Sequence, residues 1–270
     1  MESLLVTPTP LFHFFVLLVG AAFGSFFTVV VYRVPLGMSI VKPPSHCPEC
    51  KNRLKWHDNL PMVGWLMLRG KCRFCKKPIP VRYPLIEFGC GLALAAAAWC
   101  GMPPGQGADA AAVEWTLRLM LLTVLAFPVV VTDFRSMLIP DVAVIPGIAL
   151  ALLVSLLPGG LEWRSALGGA VVVAVALWAF GRLMSKILGR DAMGFGDVKL
   201  VAFFGALMGA KFALMAVLVG AFFGALVTLP LAKLRKGEIP FGPFLYLGAF
   251  VVWFWGEKLW SLYLAYATGG

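Results

Sequence analysis

The sequence predicts an all-α, polytopic transmembrane bundle of about eight helices, with a small polar insert between helices 1 and 2. Hydrophobic residues make up 60% of the 270 residues and charged residues only 13%, which is too apolar for a soluble domain. Apolar stretches recur at lengths near the roughly 20 residues that cross a bilayer. The one long polar block, which contains four cysteines, follows the first of these stretches.

The eight apolar stretches define the predicted helices. They lie near 11–31, 83–101, 115–133, 139–157, 164–183, 197–209, 211–232 and 243–265. The sixth is short, and Gly205 and Gly209 within it indicate close packing or a broken helix. Three glycine pairs with four-residue spacing predict packing seams: Gly20/Gly24, Gly205/Gly209 and Gly220/Gly224. Residues 1–10 contain no lysine or arginine, so we expect the first stretch to be retained as a membrane helix.

The distribution of basic residues predicts the orientation, because cytoplasmic loops are enriched in lysine and arginine. If segment 32–82 is cytoplasmic, 19 of the 23 basic residues fall on that side. The four on the other side are Arg118, Arg164, Lys211 and Lys258. This asymmetry accounts for the net charge of +10 without a nucleic-acid partner. It also places Asp133 and Asp197 at cytoplasmic helix ends.

The polar insert contains Cys47, Cys50, Cys72 and Cys75 in the pattern C-x2-C-x21-C-x2-C. Two such pairs supply four thiolates for a tetrahedral zinc ion. Two disulfides or a redox pair are the alternatives, but a reducing cytoplasm disfavours structural disulfides and a redox motif normally stands singly. We therefore predict a cytoplasmic zinc-ribbon-like domain that the metal helps to fold. His46 and His57 are interpreted as lying outside the metal-binding set.

Two aspartates lie where an ionisable group is costly beside hydrocarbon, which makes them candidates for a functional site. Asp133 closes one apolar run, and Asp197 follows two glycines at the start of another. If the two acids face each other they cannot both ionise cheaply, so they share a proton. Such a pair can activate water toward a peptide carbonyl. A proton or cation relay in a transporter, or a purely structural pair, fits the same residues.

Two further acids near helix ends have other predicted roles. Asp141 directly follows a proline and is expected to cap the next helix through its side chain. Glu87 lies one turn into the second helix, where we expect it to reach water or Arg82.

Several motifs together resemble one family of membrane enzymes. The segment Gly194-Phe-Gly-Asp197 resembles the GxGD signature of intramembrane aspartyl proteases, and segment 133–141 resembles its partner motif in type IV prepilin leader peptidases. The segments 24–35, 82–87 and 239–243 and the two C-x2-C pairs are similar to further motifs of that family, in the same order. Thr28 departs from the pattern, which usually has asparagine there.

The resemblance implies a bifunctional enzyme of the bacterial inner membrane. Such an enzyme cleaves the basic leader of type IV prepilins and type II secretion pseudopilins after a glycine, on the cytoplasmic side. It then methylates the new N-terminus with S-adenosylmethionine. The catalytic residues would be Asp133 and Asp197, and the partners would be these pilins and membrane lipid.

The expected domains are a first transmembrane helix (1–31), a cytoplasmic four-cysteine domain (32–82) and a transmembrane peptidase core (83–270). The binding site for S-adenosylmethionine is not assigned from the sequence. The cysteine domain and its neighbouring loops are the expected docking region for cofactor or leader, with Glu87 as a candidate contact. Two hypotheses of other classes are a metal-stabilised, proton-coupled transporter and a chaperone or assembly platform for pilins.

Overall fold

The computed structural model describes residues 7–191, 193–231 and 239–268. Within them the regular secondary structure is helical, apart from isolated bridge residues such as the two antiparallel pairs His46–Arg53 and Lys71–Pro78 in the insert. The α-helices are α1 (Pro10–Arg33), α2 (Val63–Met67), α3 (Arg82–Gly101), α4 (Ala110–Ser136), α5 (Asp141–Val154), α6 (Trp163–Leu188), α7 (Phe195–Leu231) and α8 (Gly242–Thr268). The predicted all-α class is confirmed. The basic residues Lys233, Arg235 and Lys236 of the charge count lie outside the described residues.

Five of the described helices are long and apolar enough to cross a membrane, namely α1 with its continuation to Leu36, α3, α4, α6 and α7. Their positions agree with the predicted stretches, and the differences lie at the ends. Helix α4 begins at Ala110 instead of residue 115, because the Asp109 carboxylate accepts a hydrogen bond of 2.8 Å from the Ala112 N–H. This is a side-chain cap that lengthens the helix by more than one turn beyond its apolar run.

The range of α7 comprises two helices, which correspond to the sixth and seventh predicted helices. The break between them is Gly209, whose φ of 74° and ψ of 171° are not helical. Residues with a Cβ atom rarely adopt this conformation, so glycine is required here. The predicted break is therefore confirmed.

The chain folds into two compact units, one ending at Pro128 and the other beginning at Val129. In the first unit α1 packs along α3 at the predicted seam. A Cβ atom at Gly20 would lie 2.8 Å from the Cys90 carbonyl oxygen, and one at Gly24 would lie 3.0 Å from the Cys90 Cβ. Only glycine allows the two backbones to approach this closely.

In the second unit α7 is the central helix and packs against α5, α6 and α8. A Cβ atom at Gly169 of α6 would lie 2.6 Å from the Gly205 carbonyl oxygen of α7. On the α8 side, a Cβ atom at Gly220 would lie 2.7 Å from the Phe244 carbonyl oxygen. The predicted seams at Gly205 and Gly220 are therefore confirmed, and they hold the helices that support the candidate site.

Gly168 and Gly169 form a matched pair for testing the α6–α7 seam. Gly169 faces Gly205, whereas no atom lies within 4 Å of a Cβ placed at Gly168. We expect Gly169→Ala to destabilise the protein by about 1–3 kcal/mol through overpacking. Gly168→Ala should be neutral or stabilise it by up to about 1 kcal/mol. Thermal unfolding in detergent measures both, and equal melting temperatures would contradict the seam.

Candidate active site and metal centre

Asp133 lies in the last turn of α4 and is only 5% exposed. Its Oδ2 atom accepts a hydrogen bond of 2.8 Å from the Gly242 N–H. Gly242 is the first residue of α8, so this N–H has no partner inside its own helix. The bond therefore joins the end of α4 to the start of α8.

Asp197 lies in the first turn of α7 and is half-buried. Its N–H donates to the Gly194 carbonyl oxygen at 3.2 Å, which closes the turn of the Gly-Phe-Gly-Asp motif. The turn that carries Asp197 packs on the segment that follows Asp133, so the structure brings both predicted acids to the same end of the second unit. Gly196 is packed tightly, since a Cβ atom there would lie 3.1 Å from the Ile139 Cβ.

The role of Gly242 was not predicted from the sequence. A Cβ atom there would lie 2.9 Å from the Asp133 Oδ2 atom and 3.3 Å from its Cγ atom, so a larger residue would press on the carboxylate. The following residue, Pro243, is a signal for the start of a helix and hence for a free N–H. It does not indicate which acceptor that N–H meets.

The structure corrects the capping role of Asp141. The N-cap residue of α5 is Pro140, and no side chain caps this helix. The Asp141 carboxylate instead forms an ion pair with the Lys199 ammonium group on α7. The capping prediction was wrong because the Lys199 ammonium group is the charged partner of the Asp141 carboxylate. The position of Asp141 in the first turn of α5 still favours a negative charge, since the N-terminus of a helix carries a partial positive charge.

The four cysteines converge as predicted. Their sulfur atoms all lie within 4.8 Å of one another. The Cys47 and Cys75 sulfurs are 3.8 Å apart, and those of Cys50 and Cys72 are 3.9 Å apart. A tetrahedral ion with metal–sulfur bonds of about 2.3 Å requires sulfurs about 3.8 Å apart. The cluster can therefore hold one metal ion.

The two C-x2-C turns have the same backbone geometry. The Lys51 N–H donates to the Cys47 carbonyl oxygen at 3.0 Å, and the Lys76 N–H donates to the Cys72 carbonyl oxygen at 3.1 Å. Both lysines have a positive φ, 58° and 59°. Each turn thus presents its two sulfurs on one side. His46 and His57, as predicted, are not members of the cluster.

Asp58 stabilises the insert beside the cysteine cluster, a role that the sequence did not reveal. Its carboxylate accepts a hydrogen bond of 3.1 Å from the Arg73 Nε atom and one of 3.2 Å from the Lys55 N–H. The Arg73 guanidinium lowers the pKa of Asp58 below its ordinary value. Because Arg73 lies between Cys72 and Cys75, this contact ties segment 55–58 to the second cysteine turn.

Two other predicted residues have local partners. Glu87 was expected to reach water or an arginine, but it is buried and its Oε2 atom accepts a hydrogen bond of 2.6 Å from the Met62 N–H. That expectation is corrected, because the insert folds back onto α3 and supplies the donor. The Thr28 hydroxyl donates to the Ser25 carbonyl oxygen at 2.7 Å within its own helix. Nothing in the structure explains why threonine stands there.

Comparison with known proteins identifies the family. Residues 18–100 match the bacterial peptidase A24 N-terminal domain, and residues 119–229 match the type IV leader peptidase family. A prepilin leader peptidase/N-methyltransferase of Stutzerimonas stutzeri is 32% identical over 93% of both chains. That of Pseudomonas putida is 33% identical over 90% of both chains. The chain belongs to the type IV leader peptidase family.

The two candidate sites fall in different matched regions. The four cysteines lie within residues 18–100, and both aspartates lie within residues 119–229. The related protein of Myxococcus xanthus is 36% identical, and the match covers 81% of this chain and 62% of that one. No solved structure matches the chain. The resemblance inferred from the motifs is confirmed.

Metal analysis tests the cysteine cluster of the leader peptidase. We expect about one bound divalent metal ion per chain when the protein is purified without chelator, since four thiolates complete one site. Cys72→Ser should lose most of this metal, whereas Cys90→Ser should retain it, because Cys90 lies in α3 outside the cluster. Elemental analysis by mass spectrometry gives the stoichiometry. Full metal content in Cys72→Ser would contradict the assignment.

Proposed function

We propose that this leader peptidase is an intramembrane aspartyl endopeptidase that uses Asp133 and Asp197 to cleave the basic leader of prepilins or pseudopilins after a glycine. The observation that carries the proposal is the approach of the two acids at the meeting ends of three helices. The names of the relatives, which pair a prepilin leader peptidase with an N-methyltransferase, support the substrate class and a second activity.

The geometry suits Asp133 to act as the general base. The Gly242 N–H can only donate, so it favours the ionised form of the Asp133 carboxylate. Asp197 then holds the shared proton. The Asp133 carboxylate takes a proton from water as the water oxygen attacks the peptide carbonyl, and Asp197 donates its proton to the carbonyl oxygen. As the tetrahedral diol collapses, Asp133 donates the proton that it took from water to the leaving nitrogen. Asp197 takes a proton back from a diol hydroxyl, so both acids return to their starting states as the peptide bond breaks.

The surroundings of the two acids fit a substrate that is partly apolar. Phe134 and Phe195 stand beside the acids and are exposed, which offers contact surface to the apolar helix of a pilin. The glycines of the Gly194–Asp197 turn add no side chains that would block the substrate backbone. The basic leader would approach from the cytoplasmic side.

Charge and family support the proposed placement in the cell. We place the protein in the bacterial inner membrane as a multi-pass protein, with the cysteine insert in the cytoplasm, because most lysines and arginines then fall inside. The proposed organisation is a first helix (1–31), the insert (32–82) and the peptidase core (83–270).

Zinc is the proposed metal of the cysteine cluster. Four thiolates at tetrahedral spacing suit zinc, which would contribute to the folding of a domain with a small apolar core. S-adenosylmethionine is the proposed methyl donor, on the strength of the N-methyltransferase names of the relatives. No residue is assigned to its binding.

Replacing each acid separately tests the proposed peptidase activity. We expect Asp133→Asn and Asp197→Asn each to reduce prepilin cleavage about 10²–10⁴-fold, the range for loss of a general acid or base. Asp191→Asn is the matched control, because Asp191 is exposed and lies outside the site. Cleavage is measured by mass spectrometry with purified protein at equal amounts. Near-normal cleavage by either variant would refute the proposed dyad.

The same assay separates the alternative functions when S-adenosylmethionine is added. The proposed enzyme yields a shorter and N-methylated pilin. A transporter that uses the same acids as a relay yields no product, and the family match does not support it. A chaperone or assembly platform would bind the prepilin without shortening or methylating it.

Gly242 provides a test that leaves both acids intact. We expect Gly242→Ala to lower kcat for cleavage by about 100-fold, because its Cβ displaces the Asp133 carboxylate and a shift near 1 Å can cost this much. Gly89→Ala is the control, since nothing lies within 4 Å of a Cβ at Gly89. The KM for prepilin should change little. Wild-type kcat in Gly242→Ala would show that catalysis does not depend on the space that Gly242 leaves for the Asp133 carboxylate.

A further inference from the structure

The depth of helix α2 is set by a contact with a membrane-spanning helix. Glu87 lies five residues after Arg82, the first residue of α3, which is about 7.5 Å along the helix axis. Helix α3 has 20 residues and needs nearly all of them to cross the hydrocarbon. Because the Glu87 carboxylate accepts the Met62 N–H at 2.6 Å, α2, which begins at the next residue, starts at the depth of Glu87.

The free side of α2 is apolar. Val63, Leu66 and Met67 stand at positions i, i+3 and i+4, which share one face of a helix. They are 47%, 65% and 62% exposed. The other side packs onto the insert, where the Trp65 Nε1–H donates to the Ile79 carbonyl oxygen at 3.0 Å. Trp56, in the neighbouring 3-10 helix, is also exposed, and tryptophan is typical of membrane interfaces.

The charge of the insert favours an anionic partner. Its two acids are both neutralised internally, Glu49 by Lys77 and Asp58 by Arg73. Exposed basic residues near α2 in the sequence are Arg53, Lys55, Arg69 and Lys71. Such a surface attracts anionic phospholipid headgroups. Its charge has the same sign as that of a basic leader peptide.

We infer that α2 is an interfacial helix that binds anionic phospholipid, with Val63, Leu66 and Met67 at the acyl boundary and the neighbouring basic residues on the headgroups. Interfacial helices lie about 5–10 Å into this boundary, which agrees with the depth set by Glu87. The lipid surface holds the cysteine insert at a fixed height on the membrane. This inference does not depend on the peptidase assignment.

Photo-crosslinking from α2 tests the inference on the full-length protein. Benzoylphenylalanine is placed at position 66, and the protein is reconstituted in nanodiscs of phosphatidylcholine and phosphatidylglycerol. We expect phospholipid adducts in the intact mass, with phosphatidylglycerol enriched about fivefold over its share, the effect of one basic residue near the surface. The control position is Asn52, an exposed residue of the first cysteine turn, which should give few adducts.

Two sets of variants, each with the probe at position 66, separate the effect of the Glu87–Met62 hydrogen bond from the effect of the basic residues. Glu87→Leu removes the acceptor for the Met62 N–H and should reduce lipid adducts severalfold, whereas Glu87→Gln keeps an acceptor oxygen and should retain them. Replacing Arg69 and Lys71 together by glutamine should return the phosphatidylglycerol share toward its bulk value. The inference would be overturned if the probe formed adducts with the chain itself or with added prepilin in place of lipid. Equal lipid labelling from position 52, or unchanged labelling in Glu87→Leu, would also overturn it.

Discussion

The hydrogen bond from the Gly242 N–H to the Asp133 carboxylate fixes how the helix ends meet at the candidate site. Polar backbone groups within a membrane must be satisfied by the protein itself, and the first N–H of α8 has no partner in its own helix. A buried carboxylate likewise needs a donor. Each group satisfies the other, and the turn that carries Asp197 packs on the segment after Asp133, since a Cβ atom at Gly196 would lie 3.1 Å from the Ile139 Cβ.

A hydrogen bond from a specific donor to a buried carboxylate recurs elsewhere in this apolar chain. The buried Glu87 carboxylate accepts the Met62 N–H, which attaches the cysteine insert to α3. Within α4, the buried Glu114 carboxylate accepts from the Arg118 Nε atom at 2.7 Å, four residues away. Acids in these membrane helices are therefore kept where a specific donor meets them. The two aspartates differ because the helix ends that carry them lie together, which is the basis of the proposed shared proton.

Patterns of neighbouring residues in the sequence predicted the features that depend only on neighbouring residues. Apolar length located the membrane helices, and cysteine spacing located the four-cysteine cluster, because two four-residue turns already fix pairs of sulfurs. Helix α2 was missed, since five residues are too few to show a helical period. The partners of Asp133 and Asp141 lie 109 and 58 residues away in the sequence. No local signal indicates such pairings, so their roles required the three-dimensional structure.

The pH dependence of kcat/KM for prepilin cleavage tests the shared-proton dyad most directly. A pair with one ionised and one protonated carboxylate predicts a bell-shaped profile, because activity is lost when both are protonated and again when both are ionised. Returning each sample to neutral pH and recovering full activity excludes loss of metal or unfolding as the cause of either limb. A reversible profile that rises to a plateau and stays flat at alkaline pH would contradict the dyad, since it requires a base but no acid.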